Sequence, residues 1–358
     1  MILLIELEFI SDGIPDEMLH YTLISLGTGI VIYSTVLMNV TDWAYFAAVT
    51  FMSVTITHIT DANPYIYAFY RLIDTLIGVL VAEAVNRVQL PRSRDTDTLY
   101  VSAIGISLLD SNNILSPHLR VELNRMIEDG AKFTISTVQT QARVRELLPG
   151  VDLRYPVITM DGAALYNMGS MEYLRTVPMQ KEDAALIIGW LHEKDLPFFS
   201  SSVHDDLLII HYTELSNDAM KILYDRKRRS PYRNFVKEQK DSFDNILYIQ
   251  VTTTAEAIHA AVKEFQEQPW SSKYRITEAE CDVEGYMLLK IYDARASREN
   301  MLKELEKMMG TKKTVTFGGV RDRYDVYIED AHRDMLVKEL KKRFEPVDFR
   351  NWRSILRK

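Results

Sequence analysis

Apolar and polar residues divide the chain into two unlike parts. Residues 1–70 contain no lysine or arginine, and two uncharged runs cover 21–41 and 43–60. A third apolar stretch, 72–85, follows them. Because a helix needs about 20 mostly apolar residues to cross a bilayer core, this pattern predicts about three transmembrane helices. Buried helices of a soluble core are the alternative, but such helices usually carry a polar stripe that these runs lack.

Basic residues predict how such a segment would be oriented. Arg87, Arg92 and Arg94 follow the third apolar stretch, so that end should face the cytoplasm. The prediction is a multi-pass protein of the cell membrane, with the lipid bilayer as a partner and the C-terminal region in the cytoplasm. Arg71 and Asp74 are a candidate functional pair, since ionisable residues at membrane depth are often functional. Alternatively, they only anchor the end of a short helix.

Beyond a polar linker at 93–97, short apolar strands alternate with amphipathic helices. This alternation predicts an α/β fold with a doubly wound parallel sheet. The predicted strands are 99–104, 133–136, 156–159, 207–211, 246–251, 286–292, 314–317 and 324–328. The predicted helices are 117–130, 139–148, 181–194, 254–268, 298–309 and 331–344.

Length, charge and cysteine content exclude several classes of protein. A chain of 358 residues is expected to hold more than one domain. The net charge of −8 argues against non-specific binding of nucleic acid, which needs a basic surface. Cys281 is the single cysteine, which excludes a disulfide framework and a cysteine-rich metal site.

The third apolar stretch also carries a resemblance to a membrane family. Residues 70–81, continued by 85–87 and Pro91, resemble the last membrane helix of the FUSC / aromatic acid exporter family. The resemblance covers about residues 18–92, which corresponds to the C-terminal half of the family's helical bundle. It implies either a fragment of a longer protein or a shortened member that needs a homo-oligomer or another membrane partner. Export of aromatic or other organic anions, as a subunit or fragment, is one functional alternative.

The remaining chain resembles a second family. Segments 107–117, 130–137, 156–167 and 314–319 resemble, in order and spacing, the Cof-type phosphatases of the haloacid dehalogenase (HAD) superfamily. The resemblance implies a HAD-like parallel sheet with an inserted α/β cap. The implied domains are 1–92 (transmembrane helices), 98–177 (first part of the core), 178–285 (cap-like insertion) and 286–358 (second part of the core with a C-terminal helix).

The same resemblance implies that the family's chemistry is lost. The nucleophile and acid aspartates fall at Ala103 and Gly105, so no carboxylate remains to form an aspartyl-phosphate. Thr137 keeps the hydroxyl of the second motif, Arg298 replaces the lysine of the third, and Asp322 is the acid near the fourth motif. These three are candidates for residual anion binding; no catalytic residue, metal site, magnesium or other cofactor is expected.

The predicted function is therefore a membrane-anchored, catalytically inactive HAD-like domain in regulation, ligand sensing or scaffolding. Its small-molecule ligand is not identified by the sequence. A membrane-tethered HAD-type phosphatase that works with atypical residues is the enzymatic alternative.

Other polar groups have a structural and a functional interpretation. Asp110 is either a displaced nucleophile or a loop cap, and Asp161 precedes a glycine as turn residues do. Residues 204–206 have the side chains of a metal site, but adjacent loop positions point in different directions. The basic run 226–229, with Tyr232, either contacts an anion or forms a solvated loop face.

Overall fold

A computed structural model describes residues 16–38, 44–57, 64–87, 92–230, 232–238, 244–329 and 334–348. The chain divides into two compact units, Met1–Leu90 and Pro91–Lys358. The first unit contains helices α1 (Asp16–Leu37), α2 (Ala44–Thr57) and α3 (Pro64–Arg87). In this unit α1 packs against α2, and α2 contacts α3.

The predicted transmembrane segment is wrong. Within the described residues, no helix combines the length and the apolar character needed to cross a membrane. Helix α2 has 14 residues, whereas a bilayer core needs about 20. Helix α3 is longer but includes Arg71, Asp74, Glu83 and Arg87. The multi-pass membrane localisation is corrected with it, and nothing in the described residues supports the FUSC resemblance. The bilayer as a partner stays a prediction.

The second unit is built around a core sheet. Within the described residues its seven strands have the order β13-β12-β1-β2-β3-β4-β5. Neighbours from β13 to β3 pair in parallel, whereas β3-β4 and β4-β5 pair antiparallel. The strands are β1 (Thr98–Ala103), β2 (Lys132–Ser136), β3 (Val157–Thr159), β4 (Ala164–Asn167), β5 (Glu172–Thr176), β12 (Lys313–Gly318) and β13 (Val326–Tyr327).

Helices cover both faces of the core sheet, as its apolar strands require. On one face, Tyr100 of β1 packs with α4 (Pro117–Glu128) and α10 (Met335–Phe344), and α5 (Gln141–Leu147) belongs to the same cluster. On the other face, Leu99 packs against α9 (Arg298–Met309). The predicted α/β class with a doubly wound parallel sheet is thus confirmed for this unit.

A second sheet is inserted in the chain between β5 and α9. Six strands, counted over the described residues, have the order β10-β11-β9-β6-β7-β8. All pairs are antiparallel except β7-β8. The strands are β6 (Phe198–His204), β7 (Leu207–Tyr212), β8 (Asn234–Lys237), β9 (Ile246–Thr254), β10 (Tyr274–Glu280) and β11 (Tyr286–Asp293).

Three helices belong to this second sheet. Helices α6 (Lys181–Glu193) and α8 (Ala255–Gln266) share one apolar cluster with β9 and β11. Helix α7 (Asp218–Lys227) contributes Met220 to a separate cluster with β6 and β7. Sequence patterning missed α7 and strands β4, β5, β6, β8 and β10. Several of these strands are edge strands or serine-rich, so they lack the apolar run that marks a buried strand.

A hydrogen-bonded chain of three side chains fastens one edge of the second sheet. Ser202 Oγ lies 2.6 Å from His211 Nε2, and His211 Nδ1 lies 2.6 Å from Glu238 Oε1. These hydrogen bonds link β6, β7 and Glu238, the residue that follows β8. These are the residue types of a nucleophilic triad, but Ser202 is completely buried, so no substrate reaches its hydroxyl. The arrangement therefore acts in stability.

His211→Ala should lower the free energy of unfolding by about 2 kcal/mol, because it leaves the buried Ser202 hydroxyl without its partner and opens a void. Urea denaturation measures this loss. His259→Ala is the matched control, since His259 is exposed and pairs with Glu278 at the surface. The free energy of unfolding of the control should stay within about 0.5 kcal/mol of that of the parent. Equal losses in the two variants would contradict a stabilising role of the hydrogen bonds between Ser202, His211 and Glu238.

Candidate functional site

The candidate site lies where β1, β2 and β12 end. These strands are parallel neighbours, so their carboxyl ends meet at one edge of the core sheet, where ligands of open α/β sheets bind. A cavity of about 250 Å³ lies there. It is lined by Ala103, Ile104, Ile106, Ser107, Ser136, Thr137, Val138, Arg298, Gly319, Val320, Arg323 and Tyr324.

Among the described residues that line this cavity there is no carboxylate; the ionisable ones are Arg298, Arg323 and Tyr324. Magnesium prefers oxygen ligands, mostly carboxylates and water. Across the described part of the chain, no three His, Cys, Asp or Glu side chains are grouped so that they could hold a metal ion. The residues at these strand ends therefore do not fit a magnesium site.

The local backbone also resists acidic side chains at the positions that lack them. Gly105 has φ +133°, a conformation that residues with a Cβ rarely adopt. A Cβ at Gly319 would collide with Cγ2 of Ile106. An acid at Gly105 would strain the backbone of the loop, and an acid at Gly319 would require Ile106 to move. A carboxylate could therefore be introduced at either position only together with a second change nearby.

The loop after β1 is fixed by its own hydrogen bonds. Ser107 Oγ donates to the carbonyl oxygen of Ala103 at 2.5 Å. The backbone amides of Leu108 and Leu109 donate to the carbonyl oxygen of Gly105 at 2.9 and 2.7 Å. These bonds define a closed turn in which the Ser107 hydroxyl already has a partner.

Arg298 points into the cavity from the start of α9, a helix capped by Ser297, whose hydroxyl accepts from the backbone amide of Asn300 at 3.1 Å. The guanidinium Nε donates to Asp161 Oδ1 at 2.5 Å, and Nη1 donates to the Tyr324 hydroxyl at 2.9 Å. Both partners are protein groups, so they hold the guanidinium within the site.

Asp161 binds a second arginine as well. Its Oδ2 accepts from Nη1 of Arg275 at 2.6 Å. Arg275 also donates from Nε and Nη2 to the carbonyl oxygen of Ala296, at 3.0 and 2.7 Å. One buried carboxylate thus joins the turn after β3 to β10 and to the start of α9.

The turn that carries Asp161 has a left-handed backbone. Asp161 has φ +56° and Gly162 has φ +92°. A Cβ at Gly162 would collide with the backbone of Ser297, so glycine permits the turn to lie directly against the start of α9. The sequence predicts the turn at Asp161-Gly162, but its two ion pairs depend on residues more than 100 positions away and carry no local signal.

Asp161 also sets the electrostatics of Arg298. Burial acts to lower the pKa of Arg298, but the charge and hydrogen bond of Asp161, together with those of Tyr324, raise that pKa overall. The positive charge of Arg298 is therefore balanced within the protein and needs no bound anion.

The structure brings together two of the three predicted anion-binding candidates. Thr137 and Arg298 line the same cavity, whereas Asp322 is exposed and does not line it. Thr137 is buried, and its Oγ1 accepts from the backbone amide of Gln139 at 3.1 Å. Of the other predicted pair, the side chain of Arg71 lies outside the described residues, and Asp74 is exposed on α3.

The remaining polar candidates have local structural roles. Asp110 Oδ1 accepts from the amides of Asn112 and Ile114, at 2.9 and 2.8 Å, and so closes a loop. Asp206 Oδ1 accepts from the amide of Tyr173 at 2.7 Å, which joins the β6-β7 turn to β5.

A larger cleft, of about 910 Å³, lies between the core strands' carboxyl edge and the second sheet. Glu146 of α5 bridges two arginines of this cleft, because its carboxylate accepts from Arg233 and from Arg143 at 3.0 Å each. Its described lining contains two acidic residues, Glu146 and Asp282, and six basic ones: Arg143, Arg145, Arg226, Lys227, Arg229 and Arg233. The basic run of the sequence therefore lines a cleft in part, and is not simply a solvated face.

A recess of about 70 Å³ adjoins this cleft. Its ionisable lining residues are Lys227, Arg233, Lys290 and Tyr248, with no carboxylate. Burial, with the nearby charge of Lys227, lowers the pKa of Lys290 to about 8. Burial and the charge of Arg233 also lower the pKa of Lys227. Sequence analysis missed Lys290, because one lysine in a half-buried strand carries no distinguishing pattern.

Comparison with known proteins agrees with this architecture. Residues 104–319, more than half of the chain, match the family model described as haloacid dehalogenase-like hydrolase. No protein in the curated set matches the sequence.

Solved structures share the fold at low sequence identity. A haloacid dehalogenase-like hydrolase from Bacteroides thetaiotaomicron is 12% identical, with TM-score 0.54 over 69% of this chain and 99% of that one. A sugar phosphatase of HAD subclass IIB is 14% identical, with TM-score 0.52 over 68% and 98%. A HAD-superfamily phosphatase, also from Bacteroides thetaiotaomicron, is 15% identical, with TM-score 0.51 over 71% and 98%.

Asp161→Asn should lower the free energy of unfolding by about 2–4 kcal/mol, because it leaves two largely buried guanidinium groups without their counter-charge. Chemical denaturation measures the loss. Asp152→Asn is the control, since it breaks only the exposed pair with Arg154 and should cost less than about 0.5 kcal/mol. Adding Arg298→Gln to Asp161→Asn should recover part of the loss. A purely additive double variant would argue against the pairing.

Proposed function

The chain belongs to the haloacid dehalogenase-like hydrolase family, and from that membership we propose that it binds a phosphorylated small molecule without hydrolysing it. Its role would be ligand sensing or regulation. One observation carries this proposal: the described lining of the strand-end cavity contains no carboxylate, although the fold that surrounds it is intact. The fold relatives include phosphatases, which supports a phosphorylated ligand as the class to test first.

Hydrolysis through a covalent intermediate needs a nucleophile, a group that protonates the leaving oxygen, and stabilisation of the phosphoryl charge. The resemblance places the first two functions at Ala103 and Gly105, whose side chains cannot supply them. The side chain of Arg298 is positively charged, but its charge is engaged with Asp161. Loss of one such group usually costs orders of magnitude in rate, and several are missing together.

The hydroxyl groups at the cavity do not replace the missing carboxylate. Ser107 donates to a backbone carbonyl, and Thr137 is buried and accepts from a backbone amide. Neither hydroxyl has a neighbouring general base in the cavity lining, because that lining contains no carboxylate and no histidine. Activation of a weak nucleophile requires such a base or a lowered pKa.

A phosphatase with atypical residues is the second candidate. The retained positions of Thr137 and Arg298 in one cavity favour it, as does the family's hydrolase membership. Asp110 and Asp322 are the carboxylates that such an enzyme would have to recruit. Asp110 already accepts two backbone amides, and Asp322 lies outside the cavity lining, so both would require a rearranged loop.

The full chain, incubated with magnesium and a panel of sugar phosphates and p-nitrophenyl phosphate, should release no orthophosphate above the uncatalysed background. The physical reason is the absence of a nucleophile and of a general acid at the strand ends. Released orthophosphate is measured colorimetrically, and a Thr137→Val variant provides the matched baseline.

Saturable turnover that disappears in Asp110→Asn or Asp322→Asn would support the atypical phosphatase instead. Turnover that survives in both variants and in Thr137→Val would indicate a contaminating enzyme. If the proposal holds, preparations without that contaminant must release no orthophosphate.

A further inference from the structure

We propose that the anion-binding centre of this chain lies in the recess on the second sheet, at Lys227 and Lys290, and that its ligand is a small molecule with at least two phosphoryl groups. This inference rests on the proposed function, because it names the class of phosphorylated ligand. It places the bound anion at the second sheet and not at the strand ends, where the family resemblance places the phosphatase motifs.

The first argument is uncompensated charge. A buried charge is costly unless it is paired. Within the described residues, no carboxylate lies within 4.0 Å of the ammonium group of Lys227 or of Lys290, whereas Arg233 beside them pairs with Glu146 at 3.0 Å. The Nζ atom of Lys290 lies over the ring of Tyr248, 5.4 Å from its centroid. Among the described residues, no carboxylate therefore forms an ion pair with either lysine of the recess, although Asp161 and Asp282 act on them from a greater distance.

The second argument is the contrast with the strand-end cavity. There Arg298 has Asp161 and Tyr324 as partners, so the protein itself satisfies the cation. Among the described residues that line the recess, none is an acid. A bound anion would stabilise the charged lysines, whereas at Arg298 it would have to compete with a carboxylate already in contact.

The third argument is shape. The recess is larger than the volume of one water molecule in the liquid, roughly 30 Å³, and so has room for a small anionic group. Hydroxyl and amide groups of Ser201, Gln139 and Gln250 also line it and can hydrogen-bond phosphate oxygens.

The recess and the large cleft form adjoining spaces, since Lys227, Arg233, Val138 and Gln139 line both. A ligand with one phosphoryl group in the recess would extend into the cleft, where Arg143, Arg226 and Arg229 add positive charge. The basic residues of the cleft outnumber its acids by six to two, which fits a ligand with more than one anionic group.

Calorimetry on the full chain at pH 7 tests this proposal with inorganic pyrophosphate, orthophosphate and sulfate at equal ionic strength. Pyrophosphate should bind at least about tenfold more tightly than orthophosphate, because a second phosphoryl group reaches the cleft. Lys290→Met and Lys227→Met should each weaken pyrophosphate binding by about tenfold or more. Lys221→Met is the matched control on α7, since Lys221 is exposed and pairs with Asp218, and it should bind as the parent does.

A proton readout separates direct contact from a structural effect. An anion beside Lys290 should raise its pKa, so pyrophosphate binding near pH 8 should take up protons in the parent and less in Lys290→Met. The affinity should fall as the pH rises above 8. The groups that act on Lys290 are Lys227, Asp161 and the ring of Tyr248, with Arg233 in the same recess.

Stability and hydrolysis measurements distinguish the ways in which the proposal can fail. Without ligand, Lys290→Met should unfold at a temperature equal to or above that of the parent, since it removes a buried charge, so lost binding cannot reflect unfolding. Pyrophosphate binding that is absent, or unchanged in both lysine variants, overturns this inference and leaves the proposed function intact. Lysine-dependent binding with release of orthophosphate would overturn the proposed function and leave the inference standing.

Discussion

The carboxylate of Asp161 lies between the guanidinium groups of Arg275 and Arg298, and the arrangement of the site depends on this double ion pair. A carboxylate as buried as this one is stable only when its charge is balanced and its oxygens are hydrogen-bonded. Here the pairing joins the turn after β3 to the start of α9 and to the edge strand β10 of the second sheet. The core sheet and the second sheet are thereby connected at the edge where a ligand would enter.

The same constraint explains why Arg298 is not a free cation at the strand ends. Arg298 stands where the resemblance places the family's lysine, yet its charge is balanced by Asp161. Ile106 packs in the space that a side chain at Gly319 would need. The strand ends thus contain an apolar contact and an internal ion pair. Lys227 and Lys290 lie beside the second sheet, with no described carboxylate in the lining of their recess.

The N-terminal unit shows where pattern alone leads to a wrong structure. Long runs without charge predicted membrane helices, but the helices that form are bounded differently from the runs. Helix α2 ends after 14 residues, and α3 includes four charged residues within its length. The length of an uncharged run in a sequence is therefore not the length of the helix that forms within it.

The α/β class of the second unit could be predicted from the sequence, because apolar strand runs and amphipathic helix spacing are local properties. The resemblance to the Cof-type phosphatases also drew attention to Ala103 and Gly105 at the end of β1. Edge and serine-rich strands such as β6 and β10 escaped, since their stability comes from neighbours. The contacts of Asp161 with Arg275 and Arg298, and the proximity of Lys290 to Lys227, emerge only when the chain is folded. These pairings join residues far apart in the chain, and their charge balance depends on burial, which no local pattern encodes.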